Sequence, residues 1–577
     1  MKFSKLTEYF EKLEKTASRL TLIEILSELF KETPASEIEK IVYLIQGRLA
    51  PFFVPLEIGM AEKTVAQAIA NTYGKTREEV LKSYEGLGDM GLVVEALRPP
   101  HKDGTSRALS VNDVFMILTE IANMKGEGTV EKRQKLLSDL LQDLDSISAK
   151  HLVRIPLGNT RLGIGDPTVL DGLATAKLGD KSQRKLLEGA YNRTSDLGLI
   201  AKTLWVEGLE AVQKLEVRVG SPIRSELCER LPNPDKVIEK MIEVDVQYKF
   251  DGFRVQIHKN GDEVRMFSRN LEEMTHMFPE LITAVKKQIK AKTIILDSEA
   301  LAYNPESEEF LPFQETTKRR RKHGIEEMAK SLPLKAFVFD ILYKDGKGLL
   351  DLPLSKRMEL LKEVLPEDDV LIRTKNQTIK DPKALSLLLE DAISKGLEGL
   401  VVKKLESPYE AGGRNFNWVK LKRHSSGELN DTIDCVILGY IAGKGKRTAF
   451  GAGALLVGVY DQEKDEFVSV SKIGTGLTDE EWREVHKRAD KISLEQKPAR
   501  VSSTILPSVW IRPEIVIEVL ADEITRSPIH TAGKTGTEPG YALRFPRLVS
   551  FRSADKKAED ATSVEELVEM YKQQAPH

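Results

Sequence analysis

The chain has 577 residues, 41% of them hydrophobic and 30% charged, with two cysteines and a net charge of −3. That length exceeds what one hydrophobic core supports and predicts about three or four domains. Balanced charge excludes a uniformly basic nucleic-acid binder, so any nucleic-acid contact must use local basic faces. Cys228 and Cys435 stand far apart and exclude a disulfide framework or a cysteine-rich zinc site. No apolar run reaches the ~18 residues of a membrane span. The opening stretch MKFSKLTEYFEKLEK lacks the apolar centre of a secretion signal, and a cytoplasmic protein is expected.

Residues 1–215 read as a helical domain. Phe3, Leu6, Phe10 and Leu13 recur at helical spacing. In LTLIEILSELFKETP, Thr21 is the expected cap and Pro34 the stop. EKTVAQAIANTYG ends on a glycine, as helices often do. Arg161, in a glycine-rich loop before a helix, reads as an ordinary turn residue or a phosphate contact.

Residues 216–425 change texture to strands with helices between them, an α+β domain. Strands are expected at 245–250, 253–259, 263–268, 293–303, 335–343, 397–404 and 416–422, with Asn260-Gly261 as a hairpin turn. Helices are expected at 355–364 and 382–395. Residues 426–577 read as short strands broken by glycine-rich turns. With the helix TDEEWREVHKRAD and a final helix in SVEELVEMYKQQ, they predict a small barrel of the oligonucleotide-binding (OB) type.

Charges interrupt the central strands in a pattern. In VDVQYKFDG, Val246, Tyr248 and Phe250 should face the core, while Gln247, Lys249 and Asp251 share the other face. Asp297 and Glu299 share a face downstream, Glu398 opens EGLVVK, and Trp418, Lys420 and Lys422 alternate in NWVKLK. A single Lys-x-Asp-Gly arises by chance about 0.2 times in a chain of this length. Several charged strands together must pair, bind an ion or line a cleft, because isolated charges are not buried cheaply. Lysines beside carboxylates suit phosphate chemistry with a divalent cation. A lysine nucleophile would need its ordinary pKa of about 10.4 lowered by nearby cations or desolvation.

Taken in order, Lys249-Phe-Asp251-Gly252-Phe-Arg254, Ser268-Arg269-Asn270, Asp297-Ser-Glu299, FVFDILY, Glu398-Gly-Leu-Val-Val-Lys403 and Trp418-Val-Lys420-Leu-Lys422 resemble the motifs of the covalent nucleotidyltransferases. The chain is most similar to ATP-dependent DNA ligases of the archaeal and eukaryotic replicative type. The resemblance runs from the helical N-terminal domain to RFPRLVSF. It implies a DNA-binding domain at 1–215, an adenylation domain at 216–425 and an OB-fold domain at 426–577.

By this resemblance Lys249 attacks the α-phosphate of ATP, forms a lysyl-AMP and passes AMP to the 5′-phosphate of a DNA nick, which the 3′-hydroxyl then seals. Gln247, Arg254, Arg269, Glu299, Phe339, Arg414, Lys420 and Lys422 are the implied nucleotide contacts. Among them Phe339 stacks on adenine, and Lys420 and Lys422 meet the α-phosphate. Asp251, Glu299 and Glu398 are the implied ligands of Mg²⁺ or Mn²⁺. Arg544 and Lys556 lie in the last motif, which is thought to orient pyrophosphate. The family usually has glutamate where Gln247 stands. Glutamine can donate as well as accept, which opens the site to ADP, GTP or NAD beside ATP. The implied partner is nicked duplex DNA, bound by a monomer acting at the nucleoid in replication, repair and recombination. Sliding-clamp binding is common in such ligases, but no Gln-x-x-aliphatic-x-x-Phe-Phe peptide is present.

Three further motifs carry no such weight. AGKTG at 532–536 lacks the first glycine of a phosphate loop, since Pro528 stands there. GAGALLVG reads as the start of a strand. KRRRK at 318–322 is either a solvated helix face or part of a DNA path. An RNA ligase or capping enzyme shares the core motifs, but the long helical domain favours a protein that encircles a duplex. A catalytically dead clamp would be free to lose Lys249, Glu299, Glu398 or Lys420.

Overall fold

The computed structural model describes residues 1–98, 108–304, 309–311, 313–321, 323–394, 397–422, 431–442, 452–474, 477–536, 538–553 and 555–574. The expected boundary near 426 and Lys322 of the basic run lie outside them. The chain forms two compact units. One comprises residues 1–191, 195–215 and 498–500, and the other 192–194, 216–497 and 501–577. No helix among the described residues is long and apolar enough to cross a membrane.

The first unit is helical. Phe3, Leu6, Phe10 and Leu13 line the buried face of helix Phe3–Glu14. Each is at most 1% exposed, which stabilises the unit by roughly 1.5–3 kcal/mol per side chain. Helix Glu62–Tyr73 stops at Gly74, whose φ of 64° is the left-handed cap that glycine adopts without strain. Helix Arg19–Glu32 starts earlier than expected: Ser18, not Thr21, is its cap, because the Ser18 hydroxyl accepts from the Thr21 N–H. Arg161 donates to the Gly88 carbonyl at 2.6 Å. Deep in this unit Arg154, 1% exposed, donates to both Glu14 and Asp89. Lys150 donates to Glu11 at 2.9 Å.

The second unit carries two central sheets. One runs, in order, through Leu227–Arg230, Arg414–Lys422, Gly399–Lys404, Val244–Lys249 and Gln377–Ile379. The other is built on Glu263–Ser268, Phe253–Asn260, Thr293–Asn304 and Leu334–Lys344. The hairpin Phe253–Ser268 turns on Gly261 and Asp262, one residue later than expected, with Asn260 already paired to Glu263. Gly261 takes the positive φ (60°) that such a turn requires.

A third sheet of this unit is built around Ile433–Ala442, Ala452–Asp461 and Glu466–Ile473, flanked by Val516–Leu520 and Arg547–Phe551, and Glu523–Ser527 pairs with Gly540–Arg544 as a separate two-stranded sheet. Helix Asp479–Asp490 is capped by a Thr478/Glu481 box, and helix Val564–Gln573 closes the chain. The AGKTG stretch connects the strands Glu523–Ser527 and Gly540–Arg544. The described part of the basic run follows a helix that ends at Thr317; Lys318 and Arg321 are exposed, but Arg319 is not. Arg319 is 1% exposed, pairs with Glu280 and donates to the Leu332 and Met277 carbonyls.

Candidate active site

Strand alternation assembles the site. Lys249 lies opposite Gly399, Gln247 opposite Val401 and Asp245 opposite Lys403. Val401 in turn lies opposite Lys420, and Lys403 opposite Trp418. Cross-strand partners project to the same side of a sheet. That side therefore carries Lys249, Lys403, Lys420 and Lys422, with Glu398 and Asp251 just beyond the strand ends, while Val246, Leu400, Val402, Val419 and Leu421 pack into the core behind. Tyr248 packs against this core as expected. Phe250 does not: the strand ends at Lys249, and the Phe250 ring stacks on Phe337 with centroids 3.9 Å apart.

In the second sheet Arg254 lies opposite Glu299 and Gln256 opposite Asp297, with Phe339 on the next strand. The two sheets and part of the C-terminal region enclose a cavity of about 260 Å³. Gln247, Lys249, Asp251, Arg254, Arg269, Glu299, Phe339, Glu398, Arg414, Lys420, Lys422 and Lys556 all line it. Arg544 does not; it sits on a hairpin, 55% exposed and 3.6 Å from Glu523. Two glycines permit the close packing here. A Cβ on Gly252 would meet the Ala300 carbonyl oxygen at 2.3 Å, and one on Gly399 the Leu421 oxygen at 2.1 Å.

The cations of the cavity are held by carboxylates. Lys249 forms an ion pair with Glu398, whose other oxygen lies 3.1 Å from Lys422. Burial opposes the Glu398 charge, but Lys249 and Lys422 outweigh it and hold the carboxyl far below its usual range. Lys422 also donates to Asp431 at 2.8 Å. Lys420 donates to Glu566 at 2.6 Å, and the same carboxylate takes Arg230 and Arg414. Burial and the neighbouring Arg230 push the Lys420 ammonium down to about 8, against the pull of Glu566.

Arg254 is a clamp more than a free donor. Its guanidinium meets both oxygens of Asp297, the Glu226 carbonyl at 3.0 Å and the Tyr409 hydroxyl at 3.2 Å. It also lies 5.2 Å from the centre of the Phe339 ring. Phe339 meets Trp418 edge-on at 6.0 Å, and Lys403 sits 3.9 Å from the Trp418 ring centre. By contrast, Arg269 Nε is buried without a hydrogen-bond partner among the described residues.

The predicted metal ligands Asp251, Glu299 and Glu398 share the cavity. Burial pushes the Glu299 carboxyl up to about 7, even with Lys249 and Arg254 near it. Burial and Glu398 likewise raise Asp251. At both carboxyls burial outweighs the nearby cations, Lys249 and Arg254 at Glu299 and Lys249 and Arg552 at Asp251, so an added cation would favour their charged forms. Among the described residues, Glu11, Glu14 and His151 are the group whose ligand atoms converge within 4.8 Å. Lys150 and Arg154 pair with the carboxylates of that group, so it is an ion-pair network.

Sequence reasoning missed Glu566, Asp431, Arg230 and Glu226. Glu226 is fully buried, and its Oε1 has no hydrogen-bond partner among the described residues. Burial and then Asp340 push its carboxyl up to about 8, against the Glu410 N–H, Arg357 and Lys403. None of these four carries a local signal, since each acquires its partners through tertiary contact. Asp245 is different: its alternation with Gln247 and Lys249 was there to be read.

The family profile described as "ATP dependent DNA ligase domain" matches residues 225–422. "DNA ligase N terminus" matches 2–174, and "ATP dependent DNA ligase C terminal region" matches 448–556. A protein of Dictyoglomus turgidum named "Probable DNA ligase" is 48% identical over 575 residues, covering 100% of this chain and 98% of its own. "DNA ligase 2" of Thermofilum pendens is 41% identical, covering 99% and 97%. "DNA ligase" of Sulfolobus acidocaldarius is 38% identical, covering 99% and 98%.

Proposed function

The chain belongs to the ATP-dependent DNA ligases, and we propose that Lys249 is the residue that carries AMP between ATP and the DNA nick. The observation that carries this reading is the gathering of Lys249, Lys420 and Lys422 with the Phe339 and Trp418 rings around one cavity. Such a cavity offers a flat apolar wall to a purine and ammonium groups to its phosphates. The Lys249 Nζ attacks the α-phosphorus, a P–N bond forms and pyrophosphate leaves with the electron pair of the broken P–O bond. The nick's 5′-phosphate then displaces the lysine, and the 3′-hydroxyl finally displaces AMP.

The individual roles follow from position. Phe339 and Gln247 hold the base, Lys420 and Arg414 hold phosphate oxygens once Glu566 withdraws, and Lys422 joins them from its pairs with Glu398 and Asp431. Arg269, whose Nε makes no hydrogen bond among the described residues and meets Asp560 only at 4.0 Å, takes the ribose or the 5′-phosphate of the nick. Arg254 supplies charge and shapes the cavity floor, because Asp297 and Tyr409 claim most of its donors. Glu299, Asp251 and Glu398 are the groups that would hold Mg²⁺ or Mn²⁺, together with the phosphates, as is usual for Mg²⁺. When bound, that cation supplies charge neutralisation at the phosphate oxygens. Lys556 completes the cavity from the C-terminal region, and Arg544 acts only if that region moves.

The C-terminal region is read as an OB fold that begins near 426, after the adenylation domain that begins near 216. Residues 1–215 are read as the duplex-binding domain. Phosphate and sugar contacts should dominate, since nicks occur at any sequence. The enzyme is read as a monomer at the nucleoid, with the sliding clamp an optional partner. ADP and NAD, which carry the same base as ATP, are the alternative nucleotides favoured over GTP.

Incubation with ATP and Mg²⁺ followed by intact-mass measurement tests the reading. The expected result is the added mass of one AMP, mapped by peptide analysis to Lys249. A label on another lysine, or none under any triphosphate, removes it.

A further inference from the structure

Asp245, Gln247 and Lys249 alternate on the cavity side of one strand, with Val244 and Val246 packed into the core behind. Asp245 and Gln247 are 3% and 2% exposed. The Gln247 amide nitrogen donates to Asp245 Oδ2 at 3.0 Å. A glutamine has a donor end and an acceptor end of nearly the same shape. The reverse orientation would set its oxygen against a carboxylate oxygen, two acceptors with no proton between them. One amide N–H is therefore held by Asp245, which fixes the orientation of the amide and turns its carbonyl oxygen away from Asp245 as the acceptor end offered to a ligand. Burial pushes the Asp245 carboxyl up to about 6, against buried Lys403 directly opposite in the neighbouring strand and the Gln247 amide, so the carboxylate that this arrangement needs prevails above that pH.

We propose that Asp245 is a positioning residue for base selectivity: it locks Gln247 as a hydrogen-bond acceptor, so that a purine with a 6-amino group is chosen and one with a 6-oxo group is rejected. The inference rests on the reading that the nucleotide base lies against Gln247. Glutamine at this place then acts as glutamate would. A buried carbonyl facing the O6 of a 6-oxo purine is an unpaired acceptor pair, and sites of this kind discriminate strongly. The breadth expected from a freely rotating glutamine is withdrawn by its neighbour. Glutamate at position 247 would set two carboxylates side by side.

The test compares lysyl-nucleotide formation from ATP and from inosine triphosphate, which differs in presenting oxygen at position 6. Rates are followed by intact mass, with KM and kcat separated. In Asp245→Asn the glutamine can turn either way, and the preference for ATP is expected to fall at least tenfold. That fall should come mainly through KM, with the KM for ATP rising and that for the 6-oxo nucleotide falling. The double variant D245N/Q247E presents acceptors at both ends of residue 247 with a donor beside it, and should recover the native preference. Q247E alone should use ATP worse than the double variant.

Native discrimination retained in D245N overturns the proposal. So does Q247E matching or exceeding D245N/Q247E, a comparison that does not require the single D245N variant to fold. Failure of the native enzyme to form any lysyl-nucleotide would instead overturn the underlying reading of the site.

Discussion

The Glu566 carboxylate of the C-terminal helix lies 2.6 Å from Lys420 Nζ and 3.1 Å from Arg230 Nε, and the residue is only 3% exposed. Arg414 closes the cluster around the same carboxylate. One acidic side chain thus occupies three cations, two of which are read as phosphate contacts. ATP and Glu566 must compete for them. Glu566→Ala should therefore speed lysyl-AMP formation at sub-saturating ATP by about three- to tenfold, since each 1.4 kcal/mol of lost competition is a factor of ten. Stopped time courses of the AMP mass gain check this. An unchanged or slower rate would show that the ion pairs persist during adenylation.

Lys249→Ala removes the nitrogen proposed to bond to phosphorus. No AMP mass should appear on the variant at any ATP concentration. Sealing of a pre-adenylated nick bypasses that bond and should survive in part. A gel assay on both substrates separates the two steps. Loss of both activities together would point to a structural role for Lys249 in its pair with Glu398.

Arg254 and Asp297 form a buried pair, with the Asp297 side chain 0% exposed. Asp297→Asn keeps the shape and removes the charge, which leaves a buried guanidinium short of its partner. The expected destabilisation is about 3–5 kcal/mol, the usual range for breaking one side of a buried ion pair. Urea unfolding monitored by circular dichroism measures it. A change below about 1 kcal/mol would mean that Tyr409 and the Glu226 carbonyl suffice to hold Arg254.

Glu226 carries a pH signature. Its folded carboxyl is pushed up to about 8 by burial and Asp340, against about 4.3 in an unfolded chain. Between these values the folded state holds a proton that the unfolded state has released. The group therefore subtracts nothing below about pH 4 and costs progressively more stability as pH rises, with the full cost reached above about pH 8. Glu226→Gln removes the titration. It should leave the melting temperature nearly unchanged at pH 5 and raise it at pH 8.5, by the equivalent of ~2–4 kcal/mol. Equal effects at both pH values would mean that Glu226 ionises normally in the fold.

Much of the site was legible because it depends on period-two alternation. Lys249 beside Gln247, and Lys420 beside Lys422, follow from which way successive strand residues point. The helical N-terminal region was legible for the same reason at a period of 3.6. The alternation misled only where a strand stopped: Phe250 lies one residue beyond its end and turns to Phe337. Caps and turns shifted by one to three residues, as at Ser18 and Gly261, because neighbouring polar residues compete for the same backbone groups.

The amino-acid order alone thus singled out the lysine proposed as nucleophile, the face it shares and the classes of chemistry open to it. Tertiary structure decided how those groups are used. It placed Glu566 on Arg414 and Lys420 across about 150 residues of chain, drew Arg254 into Asp297 and buried Glu226 without a full set of partners. Local periodicity governs the direction of a side chain, whereas charge pairing and desolvation depend on which distant segment is packed against it.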